Sequence, residues 1–193
     1  MFENLQKYHI ILASNSPRRK ELLGGLGLPF QVRVMQGIDE SYPDSLRGEE
    51  IALHIAGKKA SAYRSTMAGD ELIITADTIV CVDDEVLGKP RDKADAARMF
   101  HLMSGREHQV ITGVCILTKE KTVRFASTTA VTFAQLTDDE INHYIDTFHP
   151  FDKAGAYGIQ EWIGYVGITG IRGSFFNVVG LPVQRLYTAL KQF

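Results

Sequence analysis

Three consecutive bases follow the predicted start of a helix in ILASNSPRRKELL, residues 11–23. Ser16 is a suitable N-cap, and Pro17 suits the first helical position. The bases Arg18–Lys20 come next, although a helix N-terminus carries about half a positive charge and favours acidic residues. Bases are favourable there when the helix end binds an anion, because backbone amides and guanidinium groups then act on one ligand. The stretch therefore indicates a polyanion site.

Asp77 is a carboxylate in the middle of an otherwise apolar run, LIITADTIVCV at residues 72–82. A charge in a buried strand needs a compensating partner. One interpretation is a structural pair with a buried base or with backbone amides, since such pairs also perturb carboxylates. The other is a metal ligand or a general base at the edge of a cleft. The run by itself leaves both interpretations open.

Several other charged residues have an ordinary surface interpretation when each is taken alone. Lys89 lies in the turn GKP, Lys59 lies late in a predicted helix, and Glu40 follows a predicted strand. Glu40 and Asp77 would hold a divalent cation, since magnesium takes a few carboxylates together with water and phosphate oxygens. Together the set predicts a nucleoside triphosphate bound with a metal. The bases that would neutralise its phosphate charges are Arg18, Arg19, Lys59 and Lys89.

Common catalytic signatures are absent from the chain. It has neither the phosphate loop G-x-x-x-x-G-K-[ST] nor the dinucleotide fingerprint G-x-G-x-x-G. It also lacks the nucleophile elbow G-x-S-x-G and the protein-kinase signatures. The six histidines show no zinc-ligand spacing. Cys81 and Cys115 lie in apolar runs, which predicts buried thiols rather than a disulfide.

Length and composition predict a globular protein with one core of ordinary size. The chain has 193 residues, of which 45% are hydrophobic and 23% are charged. Its net charge of −2 argues against non-specific nucleic-acid binding. No apolar stretch has the length of a membrane helix, and the N-terminal segment lacks a signal peptide's pattern. We therefore expect a cytoplasmic protein without a nucleic-acid or membrane partner.

Strand and helix patterns alternate along the chain. The predicted strands are residues 9–14, 30–40, 72–82 and two longer strands within 108–133 that are joined by a charged turn. The predicted helices begin at Ser16, Ser45, Asp92, Thr137 (where TDDE forms a capping box) and Pro182. Interleaved elements with at least one hairpin predict an α/β fold, a mixed sheet flanked by helices in one domain with a cleft.

Four motifs, ASNSPRRKELL, ITADTIV, LGKPRD and DKAGAYGIQ, occur in an order that closely resembles the Maf family of nucleotide pyrophosphatases. The resemblance covers nearly the whole chain, up to the terminal VVGLP. It implies a single domain over residues 1–193. It also implies an α/β fold with two lobes around a central cleft, similar to the inosine triphosphatases.

The resemblance implies roles for individual residues. Asp77 corresponds to the catalytic proton acceptor, and with Glu40 it is the predicted ligand of a divalent metal, Mg²⁺, Mn²⁺ or Co²⁺. The predicted substrate-binding residues are Ser14, Arg18, Arg19, Lys59, Thr78, Lys89 and Gln160. Of these, Arg18, Thr78 and Gln160 match positions tied to the choice of base in the branch that prefers dTTP and UTP. Thr169 departs from the family, since many members have a basic residue near this position. Trp162 is expected to reshape the pocket for the nucleobase.

The expected activity is hydrolysis of dTTP and UTP between the α and β phosphates, which yields the monophosphate and pyrophosphate. The amide of Gln160 offers the donor and acceptor that complement O4 and N3 of uracil or thymine. A turn glutamine that caps backbone groups is the structural alternative. A division-linked regulator without turnover and a phosphotransferase are the rival functions. Whether Asp77 or a water on the metal is the base stays open, as does a homodimer.

Overall fold

The computed structural model describes residues 2–193, and these residues contain a seven-stranded mixed sheet flanked by helices. The strands are β1 (His9–Leu12), β2 (Gln31–Val32), β3 (Glu71–Val82), β4 (Glu85–Leu87), β5 (Glu107–Leu117), β6 (Thr122–Phe133) and β7 (Ile168–Arg172). Their order is β2-β1-β3-β5-β6-β7, and β4 pairs with β3 outside this path. The α/β class predicted from the sequence is confirmed.

Seven α-helices and two short 3₁₀ turns occur within residues 2–193. The helices are α1 (Pro17–Gly24), α2 (Glu49–Ala62), α3 (Lys93–Met103), α4 (Asp138–Phe148), α5 (Trp162–Gly167), α6 (Phe175–Val179) and α7 (Val183–Leu190). The capping signals predicted at Ser16 and Thr137 are confirmed, whereas the helix predicted to begin at Ser45 begins at Glu49. The hydroxyls of Ser16 and Thr137 accept hydrogen bonds from the backbone of the first turns of α1 and α4, and Thr137 forms the full capping box with Glu140.

The chain divides into two compact units. The first comprises the residues up to Asp77 together with 112–127 and 180–193, and the second comprises 78–111 and 128–179. In the first unit, β1 pairs in parallel with both β2 and β3. In the second unit, β4 pairs antiparallel with β3, and β7 pairs antiparallel with β6. The single domain with a central cleft stays a prediction.

Both faces of β3 are buried in the first unit. One apolar cluster contains Leu72 and Ile74 together with side chains of α1 and α7. A second cluster contains Ile73 together with side chains of α2. Successive side chains of a strand point to opposite faces, so a strand that is covered on both sides must be apolar throughout. This explains why the run is mostly apolar, and Asp77 is its one charged residue.

The strand predicted over residues 30–40 is wrong beyond Gln31–Val32. The following residues form an irregular segment, and its side chains Met35 and Ile38 pack against the α2 cluster. The hydroxyl of Tyr63 on this side accepts from the Met35 amide at 2.9 Å and donates to the Arg33 carbonyl at 2.8 Å. Two apolar side chains of this segment therefore contact the core, although the backbone that carries them does not pair as a strand.

The structure also bears on the predictions about the two cysteines and about membrane helices. Cys81 and Cys115 are buried free thiols, as the sequence predicts. In the part of the chain that the structure describes, no helix combines the length and the apolar character that crossing a membrane requires.

His108 on β5 makes the stability of the second unit dependent on pH. Its ring is 2% exposed, its Nε2 lies 2.7 Å from the Tyr157 hydroxyl, and its Nδ1 has no hydrogen-bond partner among residues 2–193. Burial lowers the pKa of His108 from 6.5 to about 4. Between these values the unfolded chain binds a proton that the folded chain does not, so stability rises with pH across this window.

We therefore expect the free energy of unfolding to fall by about 3 kcal/mol as the pH drops from 6.5 to 4, beyond any loss from carboxylates. Urea denaturation of the wild type and of His108→Phe, each followed at pH 4.5 and pH 7, checks this. The variant should lose this part of the pH dependence. Parallel pH profiles for the two proteins would contradict the expectation.

Candidate active site

Helix α2 is held close to β3 and β5 in the first unit. Gly113 permits this approach, because a Cβ there would lie 2.4 Å from the backbone carbonyl of Ala52 in α2. The Thr75 hydroxyl donates to the carbonyl of Ala56 in the same helix at 2.7 Å. Asp77 follows two residues after Thr75 and therefore points toward α2 as well. Strand alternation thus directs the Asp77 carboxylate toward α2, so a basic residue of α2 can pair with it.

That partner is Lys59, on the last turn of α2. Its Nζ lies 2.7 Å from Oδ1 of Asp77 and 3.0 Å from Oε1 of Glu40. The side chains of Lys59 and Asp77 are 15% and 14% exposed, whereas that of Glu40 is 56% exposed. The structure therefore brings three predicted site residues to one point, with the ammonium group between the two carboxylates. Lys59 thus compensates the charge of Asp77, and Lys59 is itself a predicted ligand of the substrate phosphates.

A second lysine contacts the segment that carries Glu40. The Nζ of Lys58 lies 2.7 Å from Oδ2 of Asp39 and donates to the carbonyl of Ser41 at 3.0 Å. The Ser41 amide and hydroxyl also donate to the Asp39 carboxylate, at 2.9 and 2.7 Å. These bonds hold the pKa of Asp39 far below its usual range, with the Lys58 bond as the largest cause. Adjacent lysines of α2 thus bind adjacent carboxylates of the irregular segment.

The turn between β1 and α1 is tied to β3 by Arg19. The guanidinium Nη1 donates to the carbonyl of Ala76 at 2.9 Å, and Nε donates to the carbonyl of Gly180 at 2.9 Å. Burial lowers the pKa of Arg19, and the charge of Asp77 opposes that shift. Ser14 is buried in this turn, and its hydroxyl accepts from the Ser16 amide at 3.2 Å. Arg19 therefore anchors the residue directly before Asp77.

A divalent metal fits the two carboxylates near Lys59. Within residues 2–193 no three or more His, Cys, Asp or Glu side chains cluster as metal ligands. Magnesium, however, is commonly bound through one or two carboxylates, with water and substrate phosphate oxygens as its other ligands. Asp77 and Glu40 already share one cation, the Lys59 ammonium, which marks a position where positive charge is stabilised. The donor set thus suits a metal that arrives with a phosphate ligand.

In the second unit, the turn with Lys89 lies beside the motif DKAGAYGIQ. The Gly155 amide donates to the Gly88 carbonyl at 3.0 Å. Gly155 has a φ of +68°, and a Cβ there would lie 2.8 Å from Cγ2 of Val80, so conformation and space both require glycine. Lys89 is exposed, and Thr78 on β3 is half-buried. Gln160, at the end of the motif, is also exposed.

The sequence did not reveal the ionic network beside Gln160, in which Lys153 is buried. The Lys153 side chain is 9% exposed, and its Nζ lies 3.1 Å from Oε1 of Glu161. The hydroxyl of Tyr144 donates to Oε2 of Glu161 and accepts from the amide of Gly158. Lys153 belongs to a motif that the sequence singled out, but nothing in the pattern distinguishes a buried lysine from an exposed one.

Comparison with known proteins assigns the family. A Phocaeicola vulgatus protein named dTTP/UTP pyrophosphatase is 62% identical over 192 residues, 100% of each chain. Proteins with the same name from Parabacteroides distasonis and Bacteroides fragilis are 61% and 56% identical, again over 100% of each chain. The solved Staphylococcus aureus Ham1 protein is 16% identical with a TM-score of 0.33, over 65% of this chain and 72% of its own. Residues 9–193 match the family described as Maf-like protein. The chain belongs to the Maf-like protein family.

Proposed function

We propose that this chain is a nucleoside triphosphate pyrophosphatase that hydrolyses dTTP and UTP to the monophosphate and pyrophosphate. The observation that carries the proposal is the Asp77–Lys59–Glu40 arrangement, a carboxylate in an apolar strand whose base also binds a second carboxylate. The name that the full-length relatives share supports the same activity and the same pair of substrates. The number of basic residues in the predicted site supports a triphosphate as the ligand, because each can neutralise phosphate charge.

The basic residues bind and orient the phosphates in this proposal. Arg18 and the backbone of the Ser14 turn lie at the N-terminus of α1, where amides and guanidinium groups favour an anion. Arg19 holds this turn against the carbonyl of Ala76, and its positive charge contributes to phosphate binding. Lys59 and Lys89 supply further charge to the triphosphate. Their charges stabilise the pyrophosphate group as it leaves.

Asp77 accepts the proton of the attacking water. Its Oδ1 is held at 2.7 Å by Lys59, so the carboxylate has a defined position rather than a set of rotamers. Glu40 and Asp77 would also hold a divalent cation, Mg²⁺, Mn²⁺ or Co²⁺. When bound, such a cation neutralises negative charge on the phosphate oxygens. A homodimer and a cytoplasmic location stay predictions.

The proposed function is tested by pyrophosphate release from UTP, dTTP and CTP with Mg²⁺ and with a chelator. UTP and dTTP should both be substrates, CTP should be markedly poorer, and the chelator should abolish release. UTP binding without pyrophosphate release would instead favour the division-linked regulator. Transfer of a phosphate to an acceptor would favour the phosphotransferase.

Gln160→Leu tests whether Gln160 recognises the nucleobase. The substitution keeps similar bulk but removes the donor and acceptor that complement O4 and N3. We expect the UTP-to-CTP ratio of kcat/KM to fall about tenfold, the scale of a lost hydrogen-bonded pair in a ligand site. Gln109→Leu, at an exposed position of β5 in the same unit, is the matched control and should leave the ratio unchanged. A large ratio that survives in Gln160→Leu would assign selectivity to other residues.

A further inference from the structure

Lys153 is buried, which is unusual for a lysine and needs a physical reason. Its ammonium lies 2.8 Å from Oδ1 of Asp152 and 3.1 Å from Oε1 of Glu161. A paired charge still loses its hydration when it is buried, so such a pair is weak evidence for a gain in stability. The position of Glu161 explains the pair better, because Glu161 directly follows the proposed base-recognition residue Gln160.

The second oxygen of Glu161 extends the network to the backbone. Oε2 accepts from the hydroxyl of Tyr144, and the same hydroxyl accepts from the Gly158 amide at 2.9 Å. Tyr144 is fully buried in α4 and packs against the rings of Phe100 and Phe148. Burial, assisted by the bond to Glu161, raises the pKa of Tyr144, so its hydroxyl stays protonated and can donate.

These bonds fix the backbone on both sides of Gln160. Gly158 lies two residues before it and is bonded to the Tyr144 hydroxyl through its backbone amide, and Glu161 lies one residue after it and is bonded to the same hydroxyl through its side-chain carboxylate. The Glu161 amide also donates to the Gly158 carbonyl at 2.9 Å, which closes the turn. A Cβ on Gly158 would lie 2.9 Å from Cδ of Glu161 and 3.1 Å from Nε2 of Gln160. The turn is therefore tightly packed, while the Gln160 side chain itself is exposed.

We propose that Tyr144, Glu161 and Lys153 are positioning residues that fix the turn backbone at Gln160, and with it the place from which the Gln160 amide meets the nucleobase, and that they thereby determine base selectivity. The inference rests on the proposed function, because it assigns these residues to the recognition of the base. A primary amide distinguishes uracil from cytosine only while its oxygen and nitrogen keep their places, since a flipped amide complements the other base. The Tyr144 hydroxyl holds the turn from which the Gln160 side chain extends, and so limits the positions that the amide can take beside a bound nucleobase.

Tyr144→Phe removes the hydroxyl and keeps the ring. The Gly158 amide and the Glu161 carboxylate then both lose a partner, and the turn samples other conformations. We expect the UTP-to-CTP ratio of kcat/KM to fall about tenfold, the loss typical of one hydrogen bond to a charged group. Because both substrates are measured on one preparation, a reduced folded fraction cancels from the ratio. Backbone amide exchange at Gly158 should become faster in the variant.

Tyr63→Phe is the matched control. Tyr63 is also a fully buried tyrosine whose hydroxyl donates to a carbonyl and accepts from a backbone amide, but these contacts lie in the first unit. It should lower the melting temperature and leave the UTP-to-CTP ratio at the wild-type value. Glu161→Gln keeps an acceptor for Tyr144 and should retain more selectivity than Glu161→Ala.

The outcomes separate the inference from the proposed function. A wild-type protein that does not release pyrophosphate from UTP would overturn both. A selective wild type whose ratio is unchanged in Tyr144→Phe, with only a lower melting temperature, would overturn the inference and leave the proposed function standing. Equal losses of selectivity in Tyr144→Phe and Tyr63→Phe would also overturn it, since the effect would then follow general destabilisation.

Discussion

Asp77→Asn is expected to keep the fold and lose nearly all nucleotide hydrolysis, with kcat lowered about 10²- to 10⁴-fold, the range that a positioned general base supplies. Asparagine has the same shape as aspartate, so it retains an oxygen that can accept from Lys59 at the position of Oδ1. It lacks the negative charge, and it cannot take a proton from water at neutral pH. The loss should therefore appear in kcat, which pyrophosphate release under saturating UTP measures.

Asp70→Asn is the matched control for this substitution. Asp70 lies directly before β3 in the same unit, is 53% exposed at its side chain, and pairs with His9 at 2.8 Å. An exposed pair of this kind contributes little to stability. We expect turnover within a few-fold of the wild type, because general destabilisation is then the only effect. Wild-type turnover by a folded Asp77→Asn protein would remove Asp77 from the mechanism.

Local signals in the sequence predicted much of the fold because they depend on few neighbours. The start of α1 follows from Ser16 and Pro17, and the capping box of α4 follows from four consecutive residues. The buried strand β3 follows from its long and mostly apolar run. The strand predicted over residues 30–40 was wrong beyond Gln31–Val32 for a physical reason. Apolar residues such as Met35 and Ile38 indicate contact with the core, but they do not show whether the backbone finds a strand partner.

The candidate site was predictable only as far as residue type permits. Asp77 stands out because a carboxylate is costly in an apolar strand, and that signal is local. That Lys59 joins Asp77 to Glu40 depends on the register between α2 and β3, which no local pattern encodes. The two carbonyls that Arg19 binds are equally non-local, since Gly180 lies 161 residues away. Burial of Lys153 depends on tertiary packing in the same way.

Lys59→Gln is expected to lower kcat/KM about 10- to 100-fold, the loss typical of one contact to a charged group in the transition state. The substitution removes a positive charge that is proposed to act on the substrate. It also leaves Asp77 and Glu40 facing each other without the ammonium that now lies between them. Steady-state kinetics with UTP measure this loss. In the absence of nucleotide, Mn²⁺ should bind the variant more tightly, because the ammonium no longer occupies the carboxylates.

Lys58→Gln separates this role from the general effect of removing a lysine from α2. Lys58 is the preceding residue, and it too bridges to a carboxylate of the segment that carries Glu40. Its partner Asp39 is 67% exposed, however, whereas Asp77 is 14% exposed, and exposed pairs contribute little to stability. We therefore expect a change of a few-fold at most in kcat/KM and unchanged Mn²⁺ binding. Equal losses in the two variants would mean that α2 needs its lysines only to hold the segment, and that the Lys59 ammonium does not act on the substrate.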